Sequence, residues 1–476
     1  MLNVTVFFGA GKLGKKILEF WRFCGVEPDF FADNDKERWG TLYDGVKILS
    51  IEELLNETHR AIVLITCAKT ESIYAQLTAC EVPAENIYLG NKIDEVITVL
   101  ISHRKVRYTW SNAQKQCVPK ESVGFGVLFD VQYGFVLGGV ESWALEMAKM
   151  LSLKRNNVKC ITTDLRGCNI HPDEVQEIQL KYQDKPYHVE MITMCINEIR
   201  NNLPCNIICN FPSITFQASC IAKMLWPDEI NIIAIVHCDE EVYYEQYGRM
   251  EALIDCCLVI SDTMEEQLIK RGMKKDKIRR MGWNISCEKQ LKRTYSKKGE
   301  PIRIGYAGRL VKHQKRLDIL MEVANRLTQL QVDFRLEIAG TGEYEETLRK
   351  AVEEFEGQIC LKGCIAREHI GDFWRKQDIA ISCSDYEGRS ISKAEAMAAG
   401  AVPVITDTSG AREDVQDGYH GYIVPVGDID SMTDRICHLY QNRDLLKVMG
   451  ERSHQVILEQ NTQNDMGVMW DYILKK

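Results

Sequence analysis

Two glutamates, Glu387 and Glu395, stand eight positions apart in the segment Asp385-Tyr386-Glu387-Gly388-Arg389-Ser390-Ile391-Ser392-Lys393-Ala394-Glu395-Ala396-Met397. Apolar strand-like runs precede and follow this segment, at 379–383 and 402–406, and the residues between read as a loop and then a helix over 391–399. The start of such a helix leaves backbone N–H groups without partners and carries a partial positive charge, which suits a diphosphate lying against Gly388, Ser390 and Ile391. A carboxylate on the helix, Glu395, can accept both hydroxyl protons of a ribose. Glu387, in the loop ahead, is placed to hold hydroxyls of a sugar attached to that diphosphate.

Side chains so spaced need strands to deliver them to one edge. Three segments share one grammar of strand, glycine turn and helix: 4–8 with Gly9-Ala10-Gly11, 126–131 with Gly138-Gly139, and 302–307 with Gly308-Arg309. Further apolar runs at 158–162, 206–209, 232–236, 257–260 and 334–339 alternate with helical patterns, which predicts parallel sheets of the βαβ kind. The chain divides into a Rossmann-like unit over 1–100, a linker over 101–122 where basic residues gather, a second unit over 123–292 and a third over 300–460. A polar stretch at 290–301, ending in Gly299-Glu300-Pro301, separates the last two. Residues 461–476 carry Met466, Val468, Met469, Trp470, Tyr472 and Ile473, an amphipathic helix that must bury one face.

The glutamate segment resembles that of the retaining glycosyltransferases of family 4, which have the GT-B fold. Glu387, Gly388, Glu395, Ala396, Met397, Gly400 and Pro403 fit that signature; Arg389 and Ser390 stand where the family usually has apolar residues. The resemblance extends over about 123–476. It implies an α/β chain with two facing Rossmann-like domains, acceptor (123–292) and donor (300–460), preceded here by a third, and a last helix that crosses back to the acceptor domain. It also implies that Arg309 and Lys315, six residues apart after Gly308, hold the donor diphosphate and stabilise its growing charge as the glycosidic bond breaks. Lys312 competes with Lys315 for this role, and Arg316 replaces the family's usual glycine. Gly340 and Gly342 resemble the loop near the nucleotide, and Ser409-Gly410 the loop after the next strand; each also reads as a plain turn at a strand end. Gly138 and Gly139 resemble the first glycine loop of the family, which faces the cleft, and equally fit a tight turn. His237, at the end of the 232–236 strand, matches a histidine that faces the donor sugar. The implied activity is transfer of a sugar from a nucleoside diphosphate, taken as UDP, to a hydroxyl of a polysaccharide or lipid-linked acceptor in bacterial cell-surface glycan synthesis. Configuration is retained and no metal or other cofactor is required.

The first hundred residues keep three readings open. Gly9, Gly11 and Gly14, with Asp33 about twenty residues on, have the spacing of a dinucleotide fingerprint, in which Asp33 binds a ribose. The stretch 33–40 resembles the small Rossmann domains at the front of bacterial sugar acetyltransferases, which bind nucleotide-linked sugars. The third reading is a retained fold without a ligand. Two rival functions follow: an NAD-dependent or sugar-nucleotide-modifying enzyme working through this unit, and a non-catalytic GT-B binding module. The unit also reads as one that can be deleted without loss of folding, since the resemblance begins after it.

Composition narrows the setting. With 59 basic and 68 acidic residues the net charge is −9, which gives no general attraction to nucleic acid. No basic end leads into an apolar stretch, and every apolar run falls short of a membrane span, so a cytoplasmic protein is expected. The 18 cysteines include no CxxC pair and no zinc-finger spacing, so they are read as reduced buried thiols without a metal site. Between Lys270 and Lys298, twelve basic residues face two acidic ones. With Trp283 as an anchor, this segment could hold the protein at the inner face of an anionic membrane; it equally suits a solvated inter-domain segment. The sequence sets no oligomeric state.

Overall fold

The computed structural model describes residues 4–56, 61–102, 125–131, 139–154, 157–163, 175–180, 188–282, 285–355, 357–463 and 466–474. Most of the 101–122 linker, Gly138 and Trp283 lie outside these residues.

Three sheets form, one per unit. The first contains β1 (Val4–Phe8), β2 (Phe30–Ala32), β3 (Leu42–Tyr43), β4 (Val46–Leu49), β5 (Ala61–Ile65) and β6 (Ile87–Leu89), in the order β3-β4-β2-β1-β5-β6, parallel except for the β3–β4 hairpin. The second contains β7 (Gly126–Asp130), β8 (Val158–Thr162), β9 (Gln176–Gln179), β10 (Cys205–Cys209), β11 (Ile230–Val236), β12 (Cys256–Val259) and β13 (Ile278–Arg280), in the order β13-β12-β11-β10-β7-β8-β9. The third contains β14 (Ile302–Ala307), β15 (Phe334–Ala339), β16 (Ile359–Gly363), β17 (Ile379–Ser382), β18 (Val402–Thr406) and β19 (Tyr422–Val424), in the order β16-β15-β14-β17-β18-β19. Pairing in the last two is parallel throughout. Central strands such as β10 and β11 are buried at every position, as sheets covered by helices on both faces require, and apolar but for Asn206 and Asn231, which hydrogen-bond to each other (2.8 Å). In each sheet the first strand lies between the second strand and a later one. The strand order reverses there, and ligands of such folds bind outside the carboxyl ends at that point.

The front unit does not stand apart. Helix Ile214–Leu225 is buried at eight consecutive positions, 215–222, so it is covered on every side. It packs on β10 and β11, against helix His188–Asn201, and against helix Ile93–Ser102 of the front unit. The latter helix contributes Val96, Ile97, Val99 and Leu100, each at most 1% exposed. One apolar core therefore runs from Phe7, Ile17 and Trp21 through these residues to Ile207 and Phe216. Ion pairs Lys16–Glu190 (3.1 Å) and Arg249–Asp94 (3.5 Å) lie at its rim. The front unit's deletion would uncover this core, contrary to the sequence expectation.

At the other end, helix Asp444–Gln463 runs unbroken past position 460, because Glu459 to Gln463 includes no glycine or proline to stop it. Leu446 and Met449 join the third sheet's core and Ile457 the second sheet's. Asn461 exchanges hydrogen bonds with the backbone of Ile285 (Nδ2 to O 2.6 Å; N to Oδ1 3.2 Å). Helix Met466–Ile473 then lies on the middle unit. Its Trp470 is fully buried, 6.3 Å from Trp143 between ring centroids, and the Ile473 carbonyl accepts from Asn231 Nδ2 (3.1 Å). No helix among the described residues is long and apolar enough to cross a membrane.

Candidate active site

The third sheet builds one wall. β14 ends at Gly308-Arg309 and β15 at Gly340-Thr341-Gly342. Gly340 and Gly342 have φ of +137° and +159°, and a Cβ on them would stand 1.9 Å from Gly308 O and 2.4 Å from Leu310 O. Only glycine lets the two loops fold together this closely. Arg309 Nη2 donates to Gln314 Oε1 (2.9 Å), whose amide nitrogen reaches Tyr386 O (3.3 Å), so the guanidinium is fixed to the glutamate loop. A cavity of about 240 Å³ opens here, lined among others by Gly139, Gly308, Arg309, Gly340, Ile391 and Glu395.

Lys315 and Glu387 form a direct, largely buried ion pair, and Ser384 Oγ donates to the same carboxylate oxygen at 2.8 Å. Lys312, at the start of the short helix Lys312–Lys315, is exposed. The structure also explains Arg316. This residue is left-handed (φ 49°, ψ 51°), a conformation glycine adopts without penalty. Its guanidinium offsets that strain by bridging Asp385 (2.9 Å) and Asp318 (3.1 Å), tying the glutamate loop to the cation loop. Arg316→Ala keeps the strain and loses the bridges, whereas Arg316→Gly loses both. The glycine variant should therefore be the more stable of the two by about 1 kcal/mol in urea unfolding.

Ser390 caps helix Ile391–Ala398, its Oγ accepting from Lys393 N (3.3 Å), which leaves the first turn facing the cavity. Glu395 lies further along. Burial pushes its carboxyl up to about 7, with Arg367 opposing and Glu146 reinforcing the shift. Arg367 Nε and Glu146 Oε1, 2.7 Å apart, close the cleft above it from opposite domains. If Glu395 receives ribose hydroxyls, the ionised form binds. Affinity for a UDP-sugar, whose diphosphate does not titrate in this range, should then be constant above about pH 8 and fall towards tenfold per unit below about pH 7. Calorimetry across that range measures it, and Glu395→Gln should abolish the pH dependence.

Arg389 faces away from the cavity. Together with Lys393 (Nζ 2.9 Å) it pairs with fully buried Asp414, and it also donates to Gln460 of the long helix (2.8 Å). Burial alone would raise the Asp414 carboxyl, but Lys393 and Arg389 outweigh it and hold it well below its ordinary value. The departure at 389 thus serves the core.

The middle unit supplies the other wall. Gly139 opens helix Gly139–Ser152, and a side chain there would meet Ile391 at 3.6 Å, so Gly139 faces the start of helix Ile391–Ala398 across the cleft. His237 follows β11 and is 8% exposed; burial pushes its imidazole down to about 3. Its ring lies edge-on to Trp143, with centroids 5.1 Å apart. Gly388 presses on the His237 carbonyl, where a Cβ would be 2.3 Å from the oxygen, and Gly410 presses in turn on the Gly388 carbonyl. Arg309 and Glu395 thus line the cavity, Lys315 and Glu387 line a smaller one that shares Ala307 and Ser392 with it, and the His237 backbone abuts Gly388, next to Glu387.

The front unit's glycine loop is occupied by its own chain. Asp33 Oδ2 accepts from Ala10 N (3.0 Å) and Oδ1 from Asp35 N (3.0 Å). Arg38 Nη1 donates to Ala10 O (2.8 Å) and Tyr43 OH to Gly11 O (3.1 Å). Gly14 is required by packing, since a Cβ would stand 2.4 Å from Gly9 O. In the basic segment, Arg271, Lys274, Lys275, Lys277, Arg280 and Arg293, six of the twelve cations, pair with carboxylates of the fold itself, which halves the charge left for a membrane.

Sequence reasoning passed over Asn210, Trp143 and Asp414, each of which comes together with its partner only across the folded chain; Trp470 was named only as part of an amphipathic face, without its partner.

Residues 288–456 match the family described as glycosyl transferases group 1. Among curated proteins, the putative glycosyltransferase EpsD of Bacillus subtilis is 25% identical over 234 residues, 46% of this chain and 60% of that protein. The poly(ribitol-phosphate) alpha-N-acetylglucosaminyltransferase of Staphylococcus aureus is 27% identical over 172 residues, 35% of this chain and 34% of that protein. The chain thus spans between a third and three fifths of the length of these relatives. Among solved structures, Anabaena HepE in complex with UDP-glucose superposes with a TM-score of 0.59 at 14% identity, covering 72% of this chain and 99% of HepE. The fold is α/β of the GT-B type, and the matched family segment, 288–456, falls on its C-terminal unit.

Proposed function

We propose that the protein transfers a sugar from a nucleoside diphosphate, UDP, to a hydroxyl of a polysaccharide or lipid-linked acceptor, with retention of configuration. The observation that carries this reading is that Arg309 and Glu395 line one cavity, and the Lys315–Glu387 pair an adjoining one sharing Ala307 and Ser392, at the point where the order of the third sheet reverses. In the reaction the bond between the anomeric carbon and the diphosphate oxygen breaks and its electron pair stays with the diphosphate. The acceptor oxygen bonds to the anomeric carbon and its proton passes to the departing phosphate. Arg309 and Lys315 stabilise the negative charge on the diphosphate, supported by the start of helix Ile391–Ala398. Glu395 holds the ribose, while Glu387 and His237 orient the sugar. Two fixed cations where a divalent ion would otherwise sit make the reaction independent of metal. The names of the relatives favour a surface polymer as acceptor, and a cytoplasmic enzyme with access to nucleotide sugars fits that reading. In the front unit, Asp33 holding its own loop speaks against the NAD reading and favours a structural role.

A thermal-shift panel of nucleotide sugars tests the proposal, since a ligand that binds only the folded state raises Tm. A rise with one or more UDP-sugars is expected. No rise with any nucleotide sugar, together with one for NAD, would favour the oxidoreductase reading instead.

A further inference from the structure

The tautomer of His237 can be read from its surroundings. Asn210, fully buried just after β10, bridges two groups. Its Nδ2 lies 2.8 Å from the backbone carbonyl of Asp130, at the end of β7, and its Oδ1 lies 2.9 Å from His237 Nε2. A backbone carbonyl only accepts, so the amide nitrogen must face Asp130 and the amide oxygen must face the ring. An amide oxygen also only accepts, so Nε2 must carry the proton. A neutral imidazole then keeps its lone pair on Nδ1.

We propose that Asn210 is a positioning residue that locks His237 in the Nε2–H tautomer, so that His237 meets the sugar only as a hydrogen-bond acceptor through Nδ1. This rests on the glycosyltransferase reading for its purpose, though not for its geometry.

The surroundings agree. Burial disfavours a charged ring. The neighbouring titratable groups have other partners: the Asp130 carboxylate accepts from Ser213 Oγ (2.6 Å), Tyr243 OH reaches the Asn210 carbonyl (3.4 Å), and Glu387 pairs with Lys315. Trp143 supports the ring from the side, and Trp470 of the last helix supports Trp143. A ring held this way cannot serve as a general acid. It selects for a sugar hydroxyl whose hydrogen points at Nδ1, and it discriminates against a sugar lacking that hydroxyl because the lone pair would then be left buried and unpaired.

Long-range proton–nitrogen NMR of the full chain labelled in its ten histidines tests this directly, with His237→Gln identifying the signals of the ring. The wild type should show the Nε2–H pattern and no titration between about pH 5 and about pH 8. Asn210→Ala should give a mixture of tautomers. Asn210→Asp, placing a carboxylate beside Nε2, should bring the ring's titration up into that range and add a matching step to the pH profile of kcat. A wild-type ring that is Nδ1–H or titrates normally would overturn the proposal, and the wild-type spectrum decides even if the variants fail to fold. An unchanged tautomer in both variants would overturn it too. The locked pattern in a protein whose signals no nucleotide sugar moves would instead count against the assigned function.

Discussion

Lys315→Ala lowers kcat/KM by about two orders of magnitude or more, the scale of losing one fixed group that stabilises developing charge. The ligand-free structure makes the result specific. Lys315 is turned inward onto Glu387, whereas Lys312 faces solvent. A donor diphosphate would take Lys315 as its counter-ion and free Glu387 for the sugar, so one side-chain exchange couples phosphate and sugar recognition. Arg309→Ala should cost a similar factor. Lys312→Ala should change kcat/KM by less than about threefold, because a solvated cation contributes little. Initial rates for the three variants measure this; a damaging Lys312→Ala beside a silent Lys315→Ala would show that the cation loop has been assigned to the wrong lysine.

The second large effect concerns the front unit. Removing residues 1–102 should yield a chain that is largely insoluble or lacks a cooperative melting transition. Helix Ile93–Ser102 alone buries Val96, Ile97, Val99 and Leu100 between the first sheet and helix Ile214–Leu225. At about 1.5–3 kcal/mol for each buried aliphatic side chain, four such residues amount to about 6–12 kcal/mol before ordering costs, comparable with the whole stability of a domain. The exposed flank of Phe216 and its neighbours would become an aggregation site. Soluble yield and calorimetric melting check this. A monomeric truncated chain with the full-length Tm would show that the shared core contributes no stability.

Much of this was legible because it is local. The parallel sheets follow from apolar runs alternating with helical patterns, and β1, β14, β15 and β18 lie where the runs place them. The glutamate segment needs only a strand, a turn and a capped helix, all adjacent in sequence. What was not legible is set by pairs distant along the chain. Arg389 reads as a departure inside a binding segment; only folding brings Asp414 and Gln460 beside it. Arg316 reads as the loss of a glycine; its left-handed backbone and its bridge to Asp385 depend on a loop 69 residues away. The shared core of the front and middle units was hidden for the same reason. Helix Ile93–Ser102 is apolar enough to be covered on both faces, but nothing local names the second face.

On the proposed function, the cleft between the middle and C-terminal units activates a nucleotide sugar. Proton NMR of UDP-sugars incubated with the enzyme tests it most directly, following release of UDP and the anomer of the sugar set free. Slow release of UDP from at least one UDP-sugar is expected even without acceptor, with an initial product that keeps the donor's anomeric configuration and a rate reduced at least about a hundredfold in the Arg309→Ala, Lys315→Ala double variant. Release at an unchanged rate in that variant, or an initial product of inverted configuration, would contradict it.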